Sequence, residues 1–271
     1  MKRSLSRRQF LGVAAIGGSA FVLGACTGNE PAPDASVSTP SFTPVPGPEA
    51  TGDIVSRSGL LEATLRIEPA LVPYGLASRW ALTVNGMTPG PTLRVRPGDR
   101  MRIVLDNRSG HPTNLHTHGL RVSPGGNADN PFIEIPDGKS FSYEIDIPAN
   151  HPGGLFWYHP HFHHHVAEQL FAGFFGAIVV EDSFDDVPEV AAATERLLLI
   201  HDARSGTSEN AVIGVSMAEK MAGREGSVVL VNGSRTPEIA ARSGSLERWR
   251  ILNASPSRYY RLQLEDHAFQ L

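Results

Sequence analysis

The stretch VNGMTPGPTLRVRPGDRMRIVLDN, residues 84–107, decides the fold class. Two short runs of apolar or alternating residues, TLRVR at 92–96 and RMRIVLDN at 100–107, stand between Pro and Gly turn signals. Runs of this kind recur from about residue 54 onward, and long helical periodicity is scarce. The pattern predicts an all-β fold, a sandwich of the Greek-key type.

Two segments differ from this pattern of short strands. A short helix is predicted near His163 to Leu170, where the periodicity changes. The run AAATERLLLI at 191–200 fits either a helix or a strand, and both readings stay open.

A second stretch, VNGSRTPEIAARSGSLERWRILN at 231–253, parallels the first. Both read Val-Asn-Gly, Pro, strand, Gly, Arg-x-Arg-Ile and a final Asn, which indicates an internal repeat. The alternative is chance, because strand-turn-strand proteins share such patterns. We predict one β-sandwich domain over residues 53–185 and a second, partial copy over residues 190–271.

The first 26 residues predict a targeting signal. Ser-Arg-Arg-Gln-Phe-Leu at 6–11 is a twin-arginine signature, and an uncharged apolar stretch then leads to Leu-Gly-Ala-Cys at 23–26, which resembles a lipobox. We expect cleavage before Cys26, lipidation of its thiol and a Pro/Ser/Thr-rich linker over residues 27–52. The predicted location is the cell envelope, after twin-arginine export, with a lipid anchor in the membrane at its periplasmic or extracellular face. The alternative is a plain signal peptide or an uncleaved anchor with an incidental cysteine.

The charge balance argues against a nucleic-acid partner. The chain has 24 Lys and Arg against 28 Asp and Glu, a formal net charge of -4. Cleavage of the signal would remove Lys2, Arg3, Arg7 and Arg8 and no acid, which makes the remainder more acidic. No basic stripe of the kind that binds nucleic acid then remains.

The candidate metal ligands are two His-x-His units, His116-Thr117-His118 and His159-Pro160-His161. Side chains at i and i+2 of a strand point to one face, so each unit can present two imidazoles to the same side. Two such strands side by side would bring four nitrogen ligands together. Imidazole suits copper, zinc, iron and nickel, and four histidines without a carboxylate motif, on an exported β-sandwich, favour copper over calcium or magnesium. The alternative for either unit alone is a pair of exposed or hydrogen-bonded histidines.

Several motifs together resemble a known family. PGPTLRVRPGDRMRIVLDN, NLHTHGL, GGLFWYHPH and GFFGAIVVED are similar to the first cupredoxin domain of the multicopper oxidases, the laccase-like bacterial family. VNGSRTPEIAARSGSLERWRILNAS resembles the second domain, so that the resemblance covers about residues 60–271. It implies tandem cupredoxin-like Greek-key β-sandwiches, the second incomplete.

The resemblance also implies roles for the four histidines. His116 would bind a type 2 copper, and His118, His159 and His161 would bind the type 3 pair. Such a trinuclear cluster reduces O2 to water while phenolic or metal-ion donors are oxidised, and no catalytic residue is implied beyond the copper ligands. The family takes the other ligands from a C-terminal cupredoxin domain, with a further His-x-His and a His-Cys-His whose cysteine binds the type 1 copper.

Here the sequence departs from the family. The only cysteine is Cys26, so a type 1 site, which needs a cysteine with two histidines, cannot form within this chain. We expect the N-terminal part of a longer oxidase, and a stop codon directly after codon 271 with no His-Cys-His downstream would contradict this. The alternative is a natural short protein that borrows the missing half from a partner. Two functional alternatives stay open, a non-enzymatic copper-binding protein of the envelope and a redox-inactive scaffold.

Two further residues are candidates to support the ligands without binding copper themselves. Asp129 can hydrogen-bond a ligand histidine or relay a proton, although a capped turn is the simpler interpretation. His163 shares the parity of His159 and His161 only if the strand continues. His164 and His165 lie outside the motif.

Overall fold

The computed structural model describes residues 52–74 and 77–267. The predicted signal, the lipidation site Cys26 and residues 27–51 of the linker lie outside these residues and stay predictions. Within the described ranges the fold is built mainly of β-strands in sheets, and the predicted all-β fold class is confirmed.

The strands of the described residues form three sheets. A five-stranded sheet has the order β1-β4-β9-β8-β6, a four-stranded sheet the order β3-β2-β5-β7, and a three-stranded sheet the order β11-β10-β12. The strands are β1 (Ile54–Val55), β2 (Leu60–Tyr74), β3 (Ala77–Val84), β4 (Leu93–Val95), β5 (Arg100–Asn107), β6 (His116–His118), β7 (Ser140–Asp146), β8 (Gly154–His159), β9 (Gly176–Val180), β10 (Thr194–Ala203), β11 (Val228–Val231) and β12 (Glu247–Asn253).

The helices are short. The helix predicted near His163 to Leu170 is present and begins at Val166, and the ambiguous run at 191–200 lies mostly in strand β10. None of the helices in the described ranges has the length and apolar character needed to cross a bilayer. The helices in the part of the chain that the structure describes are α1 (Val166–Ala172), α2 (Pro188–Ala191), α3 (Glu209–Ile213) and α4 (Met217–Ala222).

The main core lies between the five-stranded and four-stranded sheets. On β5 the side chains alternate, with Met101, Ile103 and Leu105 buried in this core and Arg100 and Arg102 exposed. A strand with one face in the core and the other in solvent requires such alternation, with a period of two residues. The alternation that predicted a sandwich from residues 100–107 therefore arises from burial of one face of β5.

Strand β9 is buried on both faces. Ile178 and Val180 belong to the core between the two large sheets, whereas Ala177 packs in a second apolar cluster with Leu197 and Leu199 of β10. A strand covered on both sides reads as a continuous apolar run, as GAIVV does here. Strand β9 thus joins the first sandwich to the three-stranded sheet.

The two Val-Asn-Gly sequences form the same tight turn. Asn85 and Gly86 have φ values of 54° and 78°, and Asn232 and Gly233 have φ values of 50° and 78°. Positive φ at both central positions suits Asn-Gly and matches the twist of the flanking strands. Each turn closes with two backbone hydrogen bonds, between Val84 and Met87 in the first copy and between Val231 and Ser234 in the second.

Each turn asparagine also bridges to the neighbouring strand. Asn85 accepts a hydrogen bond from the Arg66 amide and donates to the Thr64 carbonyl of β2. Asn232 makes the same pair of bonds to Leu199 and Leu197 of β10. The set β11-β10-β12 has the strand order and directions of β3-β2-β5, one antiparallel and one parallel pair. The repeat in the sequence is thus a repeat in backbone geometry.

An ionic network connects the first sandwich with the three-stranded sheet. Glu195 of β10 accepts hydrogen bonds of 2.6 Å from Arg94 of β4 and from Arg250 of β12. Arg250 also donates to Asp185, which lies in the connection after β9. Burial alone would raise the pKa of Glu195, but the bonds from the two arginines outweigh it and hold the pKa below its ordinary value.

We expect Glu195→Gln to lower the free energy of unfolding by about 1–3 kcal/mol, because it leaves Arg94 and Arg250 without their shared carboxylate. Urea unfolding at neutral pH measures the change, with exposed Glu189→Gln as the matched control. Because the folded pKa is lowered, the contribution is present above the ordinary value of 4.5 and is lost as the pH falls through the folded pKa. Equal stability of the two variants at pH 7 would contradict the assignment.

Candidate metal centre

The two His-x-His units meet on adjacent antiparallel strands. Strand β6 pairs with β8 so that His116 lies opposite His159 and His118 lies opposite Trp157. His159 is the last residue of β8, and His161 lies just beyond the strand. The pairing therefore brings one complete His-x-His unit and the first histidine of the other to the same edge of the sheet.

Strand β6 has three residues and is held mainly by its neighbours. The Thr117 amide donates to Asp129 at 2.9 Å, and the Leu115 amide donates to the hydroxyl of buried Tyr143 at 3.0 Å. Thr113 forms an isolated bridge with Ile135 just before the strand. These bonds fix the register of a strand too short to define its own.

The imidazoles of His116, His118 and His159 form a compact cluster. One ring nitrogen from each lies within 4.8 Å of the other two. The closest pair is His118 Nδ1 and His159 Nε2, 3.1 Å apart. The ring centroids of His116 and His159 are 5.3 Å apart and nearly perpendicular. Three nitrogen donors converge on a volume suited to a metal ion.

Fixed acceptors orient two of these rings. His116 Nδ1 lies 3.1 Å and 3.0 Å from the two carboxylate oxygens of Asp129, and His159 Nδ1 lies 2.8 Å from the carbonyl of Pro160. Because a carboxylate and a carbonyl only accept, Nδ1 of each ring carries the proton and Nε2 keeps its lone pair. Metal-binding histidines commonly donate their other ring N–H to such acceptors.

His161 lies beside the cluster. Its ring centroid is 5.1 Å from that of His116, and its Nδ1 is buried without a hydrogen-bond partner within the described part of the chain. Its backbone amide donates to Asn114 at 2.7 Å, which fixes the chain where it leaves β8. A buried ring nitrogen without a partner is costly unless a ligand or solvent satisfies it.

Trp157 covers one side of the cluster. Its indole stacks on His159 with centroids 4.2 Å apart and on His118 at 5.1 Å. The same side chain packs against the apolar cluster that includes Leu197 and Leu199. Trp157 thus supports two imidazoles from the direction of the three-stranded sheet.

Two histidines of the cluster, His118 and His159, have lowered pKa values. The pKa of His159 is lowered to about 3, first by desolvation and then by the neighbouring imidazoles. The pKa of His118 is also lowered, first by desolvation and then by the charges that His116 and His161 would carry. Neutral imidazoles have the lone pairs that a metal needs.

Comparison with known proteins agrees with this geometry. Residues 69–185, which contain all four histidines of the two units, match the family model described as multicopper oxidase. The chain belongs to the multicopper oxidase family. The predicted resemblance to this family is therefore confirmed.

Two curated relatives show how much of this chain, and how much of each relative, the similarity covers. Multicopper oxidase mco of Staphylococcus haemolyticus is 31% identical over 188 residues, which are 69% of this chain and 40% of that protein. Cell division protein FtsP of Edwardsiella tarda is 30% identical over 268 residues, 97% of this chain and 52% of that protein. The chain thus spans about half the length of the curated relatives it matches, or less.

A solved structure shows the same multicopper oxidase fold. The multicopper oxidase from Campylobacter jejuni, described as a metallo-oxidase, is 29% identical and has a TM-score of 0.64. The match covers 79% of this chain and 43% of that chain. It supports the cupredoxin-like β-sandwich assignment.

Among the predicted supporting residues of this multicopper oxidase chain, Asp129 contacts the cluster directly. Its side chain is buried and accepts hydrogen bonds from His116 and from the Thr117 amide. Exposed His163 lies in the turn before α1, with its ring 6.0 Å from that of His161. His164 and His165 lie in the same turn, outside the cluster.

Asn114 is the residue that the sequence analysis missed. It is fully buried, accepts from the His161 amide at 2.7 Å, and donates to the carbonyls of Pro131 at 3.0 Å and Ile133 at 3.2 Å. It therefore ties the loop after β8 to the loop that follows Asp129. Its position two residues before His116 was the only signal in the sequence.

We expect Asn114→Ala to lower the free energy of unfolding by about 1–3 kcal/mol, because it leaves one amide and two carbonyls in a partly buried region without their partner. Chemical denaturation measures this change. The control is Asn127→Ala, at an exposed position, for which we expect a change within about 0.5 kcal/mol. A similar small change for Asn114→Ala would show that its hydrogen bonds do not hold the loops.

Proposed function

We propose that this chain supplies His116, His118, His159 and His161 to a type 2 and type 3 copper cluster of an oxidase that uses O2. The remaining ligands would come from a cupredoxin domain outside residues 1–271, since the chain has one cysteine, Cys26, and it lies in the predicted lipobox. The reducing substrates would be one-electron donors, phenols or metal ions. The Campylobacter jejuni relative, described as a metallo-oxidase, favours the metal-ion class.

The orientation of the imidazoles carries this proposal. Asp129 and the Pro160 carbonyl hold the Nδ1 protons of His116 and His159, so both Nε2 lone pairs are available. His118 Nδ1 lies 3.1 Å from one of them. An exposed histidine or an ordinary core histidine does not require a fixed tautomer together with ring nitrogens that converge on one point.

The donor set fits copper. It consists of imidazoles, with Asp129 turned to a histidine ring instead of joining the ligands, and imidazole suits copper where hard cations prefer oxygen. The unpartnered Nδ1 of His161 gives a further buried donor next to His116. The residues present therefore suit the metal that the family implies.

The chain's own residues have separable tasks at this centre. When bound, a copper cluster of this type provides four-electron reduction of O2 to water. Asp129 holds a proton at His116 Nδ1 and keeps the ring aimed inward, as carboxylates do for metal-binding histidines. Trp157 covers two rings, and Asn114 positions the backbone of His161.

We expect the purified chain to bind Cu²⁺ and His118→Ala to bind it on the order of tenfold or more weakly, because one of the converging nitrogens is lost. His118 is exposed, so the substitution leaves the core intact. Equilibrium dialysis measures the bound copper. Exposed His267→Ala is the matched control. Equal copper binding by both variants would remove His118 from the ligands.

We expect no dye oxidation by the copper-loaded chain alone. Addition of a cupredoxin domain that carries His-x-His and His-Cys-His motifs should restore oxidation of an electron-donor dye with uptake of O2. A His116→Ala chain in the same mixture should lose this activity, since one ligand and its Asp129 contact are gone. Activity that does not depend on His116 would contradict the proposal.

A second candidate is a non-enzymatic copper-binding protein. It is favoured by the similarity to cell division protein FtsP, whose name states no oxidase activity and which matches 97% of this chain. The two candidates differ in the dye experiment. Copper binding that depends on His118, with no oxidation after addition of the second domain, would favour the binding protein. A redox-inactive scaffold would bind no copper in the dialysis experiment.

A further inference from the structure

Gln169 is a buried polar residue of helix α1, outside the four histidines of the candidate copper centre. Its side chain is only 4% exposed, and the residues that follow it in the helix, Leu170 and Phe171, are buried apolar residues. A buried amide is costly unless its hydrogen-bonding groups have partners. An apolar side chain of similar size would avoid this cost, so packing alone does not account for a glutamine at this position.

Both polar groups of the Gln169 side chain bind the loop that leads into β6. Its Oε1 accepts a hydrogen bond of 2.6 Å from the Thr113 hydroxyl, and its Nε2 donates to the Pro112 carbonyl at 2.9 Å. Thr113 is itself fully buried, and its backbone exchanges two hydrogen bonds with Ile135. The Gln169 side chain therefore fixes the position of this loop relative to α1.

The loop and the helix each border one of the His-x-His units. His116 lies three residues after Thr113, and His161 lies five residues before the start of α1. Gln169 thus joins the segment that enters the first unit to the segment that leaves the second. Asn114, the residue after Thr113, makes another such connection, because it accepts from the His161 amide at 2.7 Å.

The short strand β6 depends on connections of this kind. It has three residues, and its pairing sets His116 opposite His159. A shift by one residue would turn its side chains to the other face. Gln169 limits this shift from a fixed place, since its backbone amide donates to the His165 carbonyl at 3.0 Å and its carbonyl accepts from Phe174 at 3.1 Å.

We propose that Gln169 is a positioning residue of the candidate copper centre. Through the loop before β6, it holds His116 where its ring faces those of His159 and His161. It acts through the backbone of the loop and not as a copper ligand. This inference rests on the proposed function, because it requires that the histidines bind copper. Copper affinity should therefore depend on hydrogen bonds that are made away from the ligands.

Copper binding to the full chain tests this role. We expect Gln169→Leu, which keeps a side chain of similar size but loses both hydrogen bonds, to bind Cu²⁺ on the order of tenfold more weakly in equilibrium dialysis. The matched control is Gln263→Leu, at an exposed position, which should bind Cu²⁺ as the unaltered chain does. Circular dichroism checks that both variants are folded.

Substitutions of Thr113 test the same contact without a change in α1. Thr113→Val removes the hydroxyl and keeps the shape, and it should weaken copper binding by a smaller factor than Gln169→Leu, because the bond to the Pro112 carbonyl remains. Thr113→Ser keeps the hydroxyl and should restore most of the lost affinity. Thr113→Val should add little to the effect of Gln169→Leu, since the shared bond is already absent.

Electron paramagnetic resonance of the bound Cu²⁺ separates positioning from a general loss of stability. Displaced imidazoles change the nitrogen hyperfine pattern, whereas a less stable fold with the same ligands does not. We expect a changed pattern in Gln169→Leu and the original pattern in Thr113→Ser.

Two results would overturn the positioning role. One is a copper affinity and hyperfine pattern in Gln169→Leu equal to those of Gln263→Leu. The other is an equal loss of affinity in Thr113→Val and Thr113→Ser. Failure of the unaltered chain to bind copper would instead overturn the proposed function, and this inference with it.

Discussion

The antiparallel pairing of β6 with β8 is the constraint on which the candidate copper centre depends. The register that sets His116 opposite His159 also sets His118 opposite Trp157, and a shift by one residue would turn the imidazoles to the other face. Strand β6 is too short to secure this register alone. Asp129, through the Thr117 amide, and other groups outside the strand secure it. The ligands are therefore positioned by residues that do not themselves face the metal.

The second constraint is the contact between the first sandwich and the three-stranded sheet. Strand β9 has apolar side chains on both faces. Near it, Arg94 of β4 and Arg250 of β12 both donate to the carboxylate of Glu195. Trp157 lies at the same junction and reaches the imidazoles from it. The three-stranded sheet thus supports Trp157, which covers the candidate centre, although this sheet provides none of the centre's four histidines.

The sequence predicted what depends on local periodicity. The alternation at residues 100–107, the turn chemistry of the two Val-Asn-Gly copies and the common face of His116 and His118 all follow from strand and turn geometry. It did not predict the hydrogen bonds of Asn114, nor the pairing of Arg94 with Glu195, 101 residues apart. Such contacts depend on how sheets and loops pack, and neither composition nor spacing carries that information.

The stacking of Trp157 has a spectroscopic consequence. Its indole lies within 4.2 Å of the His159 ring and 5.1 Å of the His118 ring, close enough for a paramagnetic ion on either imidazole to quench its emission. The chain has three tryptophans, of which Trp157 stacks on both of these histidines. Trp157 is thus a native fluorophore at the candidate centre, and its fluorescence emission reports whether a paramagnetic ion is bound there without a dye or a label.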